Sequence, residues 1–153
     1  MKEAVGGTFM IYVLLIFLAV YITFVAVALN YAKAFRVKNS VIDIIEQNEG
    51  MDDDDFNNRS GSRLDDGSVT SLINAKLKDY SYFVSLTDEN VRDYCNNNPN
   101  SKFDLGYCIS RIGDGREYYQ VVTFVQIKFP FWEDFNITIP IRGETRVIER
   151  IKD

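Results

Sequence analysis

An apolar run and an amphipathic run follow one another in the first third of the chain. The apolar run extends from Phe9 to Leu29 and reads FMIYVLLIFLAVYITFVAVAL, with two tyrosines and one threonine as its polar interruptions. As an α-helix it would measure about 32 Å, close to the roughly 30 Å hydrocarbon core of a bilayer. The pattern therefore predicts a transmembrane segment at 9–29.

A cleaved secretory signal and a buried core helix fit the apolar run less well. A cleaved signal has an apolar core of about 7–15 residues after a basic start. Here the core is longer and Lys2 is offset by Glu3, although Ala26-Val27-Ala28 matches the small-residue pattern of a cleavage site. A run of this length also favours a membrane span over the core helix of a soluble protein.

The amphipathic run extends the predicted helix beyond the membrane. Residues 31–49 contain neither glycine nor proline. On a helical wheel one half is apolar and carries Ala34, Phe35, Val37, Val41, Ile42, Ile44 and Ile45. Gly50 is expected to end the helix, because glycine readily takes the positive φ of a C-terminal cap. We therefore predict one helix over 8–49, about 60 Å long, after a short leader-like start at 1–7.

The stretch 50–68 is acidic and rich in Gly, Ser and Asn, which predicts an exposed loop. A calcium loop is the alternative, because Asp53, Asp55 and Asn57 have the alternate spacing of oxygen ligands. Asn58 stands where the turn glycine belongs, however, and Leu64 stands where the bidentate glutamate belongs. A solvated acidic loop is the favoured interpretation.

Residues 69–153 are expected to form a head that begins with helical and irregular segments. A short helix is predicted at 71–80, with its apolar side chains near one another: Leu72, Ile73, Ala75 and Leu77. Thr87 is expected to cap a second short turn. The Asn-rich segment with Pro99, between Cys95 and Cys108, indicates an irregular loop.

The C-terminal third has the composition of an antiparallel sheet. Strands are predicted at 105–112 and 117–129, joined through the turn pair Asp114-Gly115. Apolar residues then alternate with polar ones over 135–142, where Pro140 suggests an edge strand or a bulge. Gly143 is expected to shift the phase before a last strand at 145–151. A sheet of three or four strands has an apolar face that needs a cover.

The amphipathic half of the helix can provide that cover. Val37, Val41, Ile44 and Ile45 are expected to pack against the sheet, because both surfaces are buried in this way. The predicted fold is therefore of the α+β class, with a long N-terminal helix, half transmembrane and half amphipathic, packed against a small antiparallel sheet.

Composition excludes several classes of function. Histidine is absent, which removes His-based triads and the H-E-x-x-H zinc site. Lys and Arg number 17 against 22 Asp and Glu, for a net charge of -5, so we expect no nucleic-acid partner. Glu133 and Asp134 are adjacent carboxylates, and a plain turn accounts for them better than acid/base catalysis. We expect neither an enzyme nor a cofactor nor a small-molecule substrate.

Cys95 and Cys108 are the two cysteines of the chain. Twelve residues separate them, a spacing that suits a loop-closing disulfide better than a catalytic dithiol. A disulfide would place the head in an oxidising, extracytoplasmic compartment. Two buried free thiols remain the alternative.

This arrangement resembles the pilins and pseudopilins of type IV filaments, including the small TadE-like proteins of Tad-type pili. The resemblance lies in the start KEAVGG, the apolar run, its amphipathic continuation, the β-rich end and the cysteine pair. It implies a membrane-anchored subunit that assembles with other pilin-like subunits through a filament assembly machinery. Aromatic residues of the apolar run would pack against neighbouring helices or face lipid: Phe9, Tyr12, Phe17, Tyr21 and Phe24.

In these families a peptidase cuts after a glycine before the apolar run, and a glutamate at the fifth mature position sets subunit register. Gly6 or Gly7 would supply the cut, but the fifth residue would then be Ile11 or Tyr12. The missing glutamate favours a minor subunit over a major one. The alternative function is a single-pass accessory or sensory protein whose β-rich head binds a partner.

The expected location is the cell membrane, with one span and an extracytoplasmic head. The positive-inside rule opposes this orientation, because Lys33, Arg36 and Lys38 follow the span while only Lys2 precedes it. The same basic residues would also suit anionic headgroups of the outer leaflet or acidic patches of neighbouring subunits. The disulfide-like pair and the helix-plus-sheet pattern favour the extracytoplasmic head.

Overall fold

The computed structural model describes the backbone of residues 2–51, 68–82, 84, 101–104, 106–113, 116–129 and 132–149, and side chains for all of these except 2–6, 101–104, 128–129 and 132–136. Two helices and five strands lie in these ranges. In chain order they are α1 (Lys2–Gln47), α2 (Val69–Asp79), β1 (Ser101–Asp104), β2 (Tyr107–Ile112), β3 (Arg116–Phe129), β4 (Trp132–Glu144) and β5 (Ile148–Glu149). The structure is α+β, with a long N-terminal helix and a small antiparallel sheet, as the sequence predicts.

Helix α1 runs for 46 residues without interruption, including the passage from the apolar to the amphipathic half around Asn30. It begins before the predicted residue 8 and ends two residues before the predicted 49. The range contains no proline, the residue that most strongly interrupts a helix. The apolar and the amphipathic runs therefore belong to one continuous helix.

The C-terminus of α1 is closed by a Schellman motif. The Gly50 N–H donates to the Ile45 carbonyl at 2.9 Å, and the Glu49 N–H donates to the Glu46 carbonyl at 3.3 Å. Gly50 has the predicted positive φ, at +111°, but the left-handed cap residue is Glu49, with φ of +56°. A Cβ on Gly50 would lie 3.1 Å from the Tyr119 hydroxyl, so this glycine also permits a close approach of the sheet.

The sheet is an antiparallel meander in the order β1-β2-β3-β4, and β5 also pairs with β3. Strand β2 pairs with β3 as the predicted hairpin, with Tyr107 opposite Thr123 and Ile112 opposite Tyr118. Strand β4 pairs with β3 over its length and lies at the edge of this order. Pro140, opposite Phe124, is therefore on an edge strand, as predicted.

Three details of the sheet differ from the predictions. Strand β1 lies in a segment predicted as irregular loop; it is stabilised by pairing with β2, from Ser101 opposite Ser110 to Asp104 opposite Tyr107. Gly143 stays in register within β4, and the phase shift falls at 145–147. The predicted last strand at 145–151 contracts to Ile148–Glu149, whose partners are Glu117 and Arg116.

The buried core contains side chains of both helices and of the sheet. Its fully buried members include Ile45 of α1, Ile73 of α2, and Tyr107, Ile109, Tyr119 and Val121 of the sheet. Thr123 donates to the Ala34 carbonyl at 3.2 Å, which ties β3 directly to α1. Helix and strands therefore share one hydrophobic core.

Helix α2 begins two residues before the predicted start at Ser71 and ends one residue before the predicted end at Tyr80. Its buried side chains are those of Val69, Thr70, Ile73 and Leu77. Of the four apolar residues expected to lie near one another, Ile73 and Leu77 are thus buried, whereas Leu72 is 43% exposed and Ala75 is also exposed.

Ser68 is the N-cap of α2, because its Oγ accepts a hydrogen bond from the Ser71 N–H at 3.1 Å. We expect Ser68→Ala to lower the free energy of unfolding by about 1 kcal/mol, since an orphan N–H loses its acceptor. Ser68→Asp is the matched control and should stay near the unsubstituted chain. Urea unfolding in detergent micelles measures both, and an equal loss in the two variants would contradict the capping role.

Candidate membrane anchor and assembly surface

The apolar half of α1, residues 7–29, makes no close packing contact with the head along most of its length. The five aromatic residues predicted to face lipid or neighbouring helices, Phe9, Tyr12, Phe17, Tyr21 and Phe24, are between 61% and 74% exposed. In the most apolar stretch of α1, no residue is buried against the rest of the chain. Such a large apolar surface does not stay in water and requires a cover of lipid or protein.

Helix α1 is long and apolar enough to cross a membrane, and it is the one such helix among the described residues. The same length and composition suit a signal anchor near the N-terminus. Its one threonine within the apolar run, Thr23, donates its hydroxyl to the Ala19 carbonyl at 2.9 Å. This polar group is thereby satisfied within the helix and adds little cost in an apolar environment.

Basic residues follow the apolar half, and the side chains of two of them, Lys33 and Lys38, make specific contacts. Lys33 donates through Nζ to the Ser81 carbonyl at 2.7 Å. Lys38 is 9% exposed, and its Nζ lies 4.3 Å from the centre of the Phe35 ring. Arg36 is exposed. Lys33 and Lys38 thus have packing roles that do not depend on membrane topology.

The outer half of α1 forms an interface with the sheet along one stripe. Val37 and Val41 are each 1% exposed and Ile45 is fully buried, whereas Ile44 is half-buried at the edge of the core. Gly143 of β4 lies against this stripe, since a Cβ there would come within 2.8 Å of Ile42 Cδ1 and Lys38 Cδ. The sequence did not predict that Lys38 and Gly143 take part in this interface. For Lys38 the available indication is its position on the helix, on the same stripe as Ala34 and Val41.

Tyr82, which follows α2, hydrogen-bonds to the backbone of β3 and of the residue before β2. Its hydroxyl accepts a hydrogen bond from the Phe124 N–H at 2.8 Å. The same hydroxyl can donate its one proton to either of two carbonyl oxygens, that of Phe124 at 2.9 Å or that of Gly106 at 3.0 Å. Burial raises the pKa of Tyr82 to about 12, and the hydrogen bond from Phe124 opposes part of that rise. The neutral phenol is therefore the form that the fold favours.

A raised pKa makes stability depend on alkaline pH. The neutral phenol contributes its full stability below the ordinary tyrosine pKa of about 10, and the contribution is lost as the pH rises towards about 12. We expect the free energy of unfolding to fall over that window by up to about 2–3 kcal/mol.

Tyr82→Phe should remove this part of the pH dependence and lower stability at neutral pH, because the Phe124 N–H loses its acceptor. Tyr31→Phe, at an exposed tyrosine of α1, is the control. Urea unfolding from roughly pH 8 to roughly pH 12, a range that brackets tyrosine titration, compares the three chains. Parallel curves for all three would contradict the assignment.

The remaining predicted residues lie in several parts of the chain. Gly6 and Gly7 lie inside α1, and nothing packs over Gly7. Cys108 is fully buried in β2, opposite Val122. Cys95 lies outside the described residues, so the disulfide stays a prediction. The acidic ligand set Asp53, Asp55 and Asn57, the Thr87 cap and the Asp114-Gly115 turn also lie outside them.

In the part of the chain that the structure describes, no group of three or more Cys, Asp or Glu side chains is placed to hold a metal ion. The backbone of Glu133 and Asp134 belongs to strand β4, so the plain turn predicted for this pair is wrong. The surface that distinguishes this molecule is the apolar half of α1.

Comparisons with known proteins identify no relative: no family model, no curated protein sequence and no solved structure matches the chain.

Proposed function

We propose that the chain is a minor pilin-like structural subunit of a type IV or Tad-type filament, anchored in the membrane before assembly. One observation carries the proposal. A single uninterrupted helix is apolar and exposed over its first half and forms part of the head's core over its second half. The first half then needs a cover from outside the chain, and the second half fixes the head to it.

Assembly exchanges one apolar environment for another. The apolar half of α1 leaves lipid and is covered by the corresponding helices of other subunits, so the burial of its aromatic side chains is kept. The partners are other pilin-like subunits and an assembly machinery that extracts the helix. Because α1 carries the head rigidly on its outer half, the packing of the helices would also set the spacing of the heads.

The head would lie outside the cytoplasm, with Cys95 and Cys108 joined by a disulfide. A twelve-residue loop closed in this way would gain roughly 3 kcal/mol in the chain-entropy model. Cys108 is fully buried in the sheet, which would shield the bond from reductants.

The test is the fate of the full chain in its native host. We expect filaments sheared from the cells to contain it, with the first six or seven residues removed after Gly6 or Gly7 and with a mass two hydrogen atoms below that of the reduced form. A chain that keeps its start, carries reduced thiols and stays in the membrane fraction would overturn the proposal.

Absence of the register glutamate favours a second candidate, a single-pass accessory or sensory protein. Between Ala4 and Gln47 the acidic residues are Asp43 and Glu46, both far from the fifth mature position. The basic residues that follow the span agree with a head in the cytoplasm. This candidate predicts a stable membrane protein that is never found in sheared filaments.

A further inference from the structure

Positive charge is concentrated around the head-side end of the span, although the chain as a whole is acidic, with a net charge of -5. The segment 30–42 of α1 contains three basic residues and no acidic one, and the segment 69–81 contains two basic residues and one acidic one. Five basic residues against one acidic residue give these two segments a charge of +4. The basic residues are Lys33, Arg36, Lys38, Lys76 and Lys78.

The last turn of α2 lies beside the basic residues of α1. The Ser81 carbonyl accepts a hydrogen bond from Lys33 Nζ at 2.7 Å, and the Ser81 N–H donates to the Lys78 carbonyl at 2.9 Å. An ammonium group has three N–H donors, so Lys33 keeps two more for other acceptors. Lys33 of α1 and Lys78 of α2 are therefore held in one part of the surface.

Arg36 lies on the side of α1 that faces the end of α2. The Tyr80 hydroxyl lies 3.2 Å from Ser40 Oγ. On the helical wheel Ser40 lies between Lys33 and Arg36, about 20° from the first and 40° from the second. Arg36 and Lys78 are exposed, and neither forms a salt bridge with a carboxylate among the residues that the structure describes.

These basic residues lie at the depth of lipid headgroups if residues 9–29 span the membrane. Lys33 comes four residues after Leu29, about 6 Å farther along the helix axis. The headgroup layer on each side of the hydrocarbon core is about 5–8 Å thick. Lys33 and the Ser81 carbonyl are thus level with the headgroups. Arg36 follows about 4–5 Å later, and its side chain leans towards the N-terminus of the helix, which is the direction of the membrane.

We propose that Lys33, Arg36 and Lys78 form a basic patch that binds the phosphates of anionic phospholipids beside the head-side end of the span. The inference rests on the proposed membrane anchoring of α1 and names the class of lipid that α1 meets there. Guanidinium and ammonium groups donate charge-assisted hydrogen bonds to phosphate oxygens. Each basic residue near an anionic surface strengthens the attraction about five-fold.

The basic patch joins the head to the membrane surface, because Lys78 belongs to α2 and not to the anchor helix. The Lys33–Ser81 hydrogen bond keeps the two helices together at that level. Headgroups bound there hold one side of the head at the membrane. Extraction of α1 into a filament then requires release of these headgroups as well as of the span.

The lipid selectivity of the reconstituted full chain tests this contact. The chain is inserted into phosphatidylcholine vesicles that contain a trace of spin-labelled phosphatidylglycerol or spin-labelled phosphatidylcholine. Electron paramagnetic resonance distinguishes lipids that the protein immobilises from bulk lipids. We expect phosphatidylglycerol to be preferred by about two-fold or more, averaged over the lipids around the span. The preference should be lost at about 1 M salt, where the screening length is about 3 Å.

A double variant assigns the preference to the basic patch. Arg36→Gln with Lys78→Gln removes two of its charges at exposed positions and leaves the Lys33–Ser81 hydrogen bond in place. We expect this variant to lose most of the preference for phosphatidylglycerol. It should still float with the vesicles, because the apolar half of α1 is unchanged.

The matched control removes the same charge far from the membrane. Arg116→Gln with Arg146→Gln changes two arginines whose side chains are 79% and 73% exposed. Arg146 pairs with Glu46, which comes 17 residues after Leu29, or about 25 Å along the helix axis. That distance is two to three times the screening length of about 8–10 Å near physiological ionic strength. The control should keep the full preference.

Each outcome bears on a different claim. Equal association of the two lipids with the unsubstituted chain would overturn the inference. A preference that persists in the Arg36 and Lys78 double variant would place the contact elsewhere and would overturn it too. Equal loss in both double variants would mean that net charge alone sets the preference, which also contradicts a local contact. A chain that fails to float with the vesicles would instead overturn the anchoring on which the proposed function depends.

Discussion

Introducing aspartate at both Phe17 and Val20 is expected to remove the chain from membranes. Both side chains are exposed, at 74% and 63%, and they lie one turn apart near the middle of the 9–29 segment. An aspartate at the centre of a span costs about 2.5–3.5 kcal/mol on insertion scales, and each replaced apolar residue contributed about 0.3–0.6. The pair therefore shifts the insertion free energy by about 6–8 kcal/mol.

This shift is as large as the favourable insertion free energy that the apolar side chains of the whole run contribute. Leu, Ile, Val and Phe make up 14 of the 21 residues from Phe9 to Leu29, and together they contribute about 4–8 kcal/mol. The single substitution Val20→Asp should accordingly leave most of the chain inserted, whereas the double one should not. The fraction that resists carbonate extraction measures both.

Leu72→Asp is the control for added charge, because Leu72 is an exposed apolar residue of the head. It should not change the membrane fraction. Full retention of the double variant in the membrane would mean that another part of the molecule holds it there. The same result would contradict the pilin-like and the accessory interpretations alike, since both depend on the span.

Helical periodicity predicted the long helix and most of its interface with the sheet, because both are properties of neighbouring residues. It predicted an apolar half that is wider than the buried stripe. Ala34, Lys38, Val41 and Ile45 lie along the middle, while Ile42 and Ile44 sit about 80° to either side of it. Lys38 is buried because Gly143 lets β4 approach closely, and no local pattern around residue 38 reveals a glycine that is distant in sequence.

Two features of the sheet, strand β1 and the exposure of part of β4, were not predicted because they also depend on residues distant in sequence. The segment at 101–104, SKFD, has no clear alternation, and it becomes β1 through its pairing with β2. The regular alternation over 135–142 predicted a strand with one apolar face that needs a cover, yet Ile137 and Ile139 on that face remain 36% and 40% exposed. The alternation in a strand shows which side chains share its apolar face. Whether other parts of the protein cover that face depends on the tertiary arrangement.

Truncating Ile45 should produce the largest loss of stability from a single deletion of side-chain atoms in the helix–sheet interface. Ile45 is completely buried, so Ile45→Ala removes apolar contacts and leaves a cavity. We expect the free energy of unfolding to fall by about 2–5 kcal/mol. This is a large part of the roughly 5–15 kcal/mol that stabilises a typical domain.

Ile44→Ala is the matched control, with the same change one position earlier in the same helix. Helix propensity changes equally in both variants, so the difference between them isolates packing against the sheet. Ile44 is half-buried, and its truncation should cost about 1 kcal/mol or less. Unfolding of both variants in detergent micelles, followed by the fluorescence of Trp132, gives the two values.

The comparison also decides whether helix and head form one mechanical unit. A much larger loss of unfolding free energy at Ile45 than at Ile44 would show that the sheet packs tightly against the outer half of α1. Displacement of the helix would then move the head with it. Equally small losses at the two positions would mean that the head unfolds independently of α1. A head that is independent of its helix cannot transmit helix packing into a fixed spacing of heads, and the accessory function would then fit the molecule better.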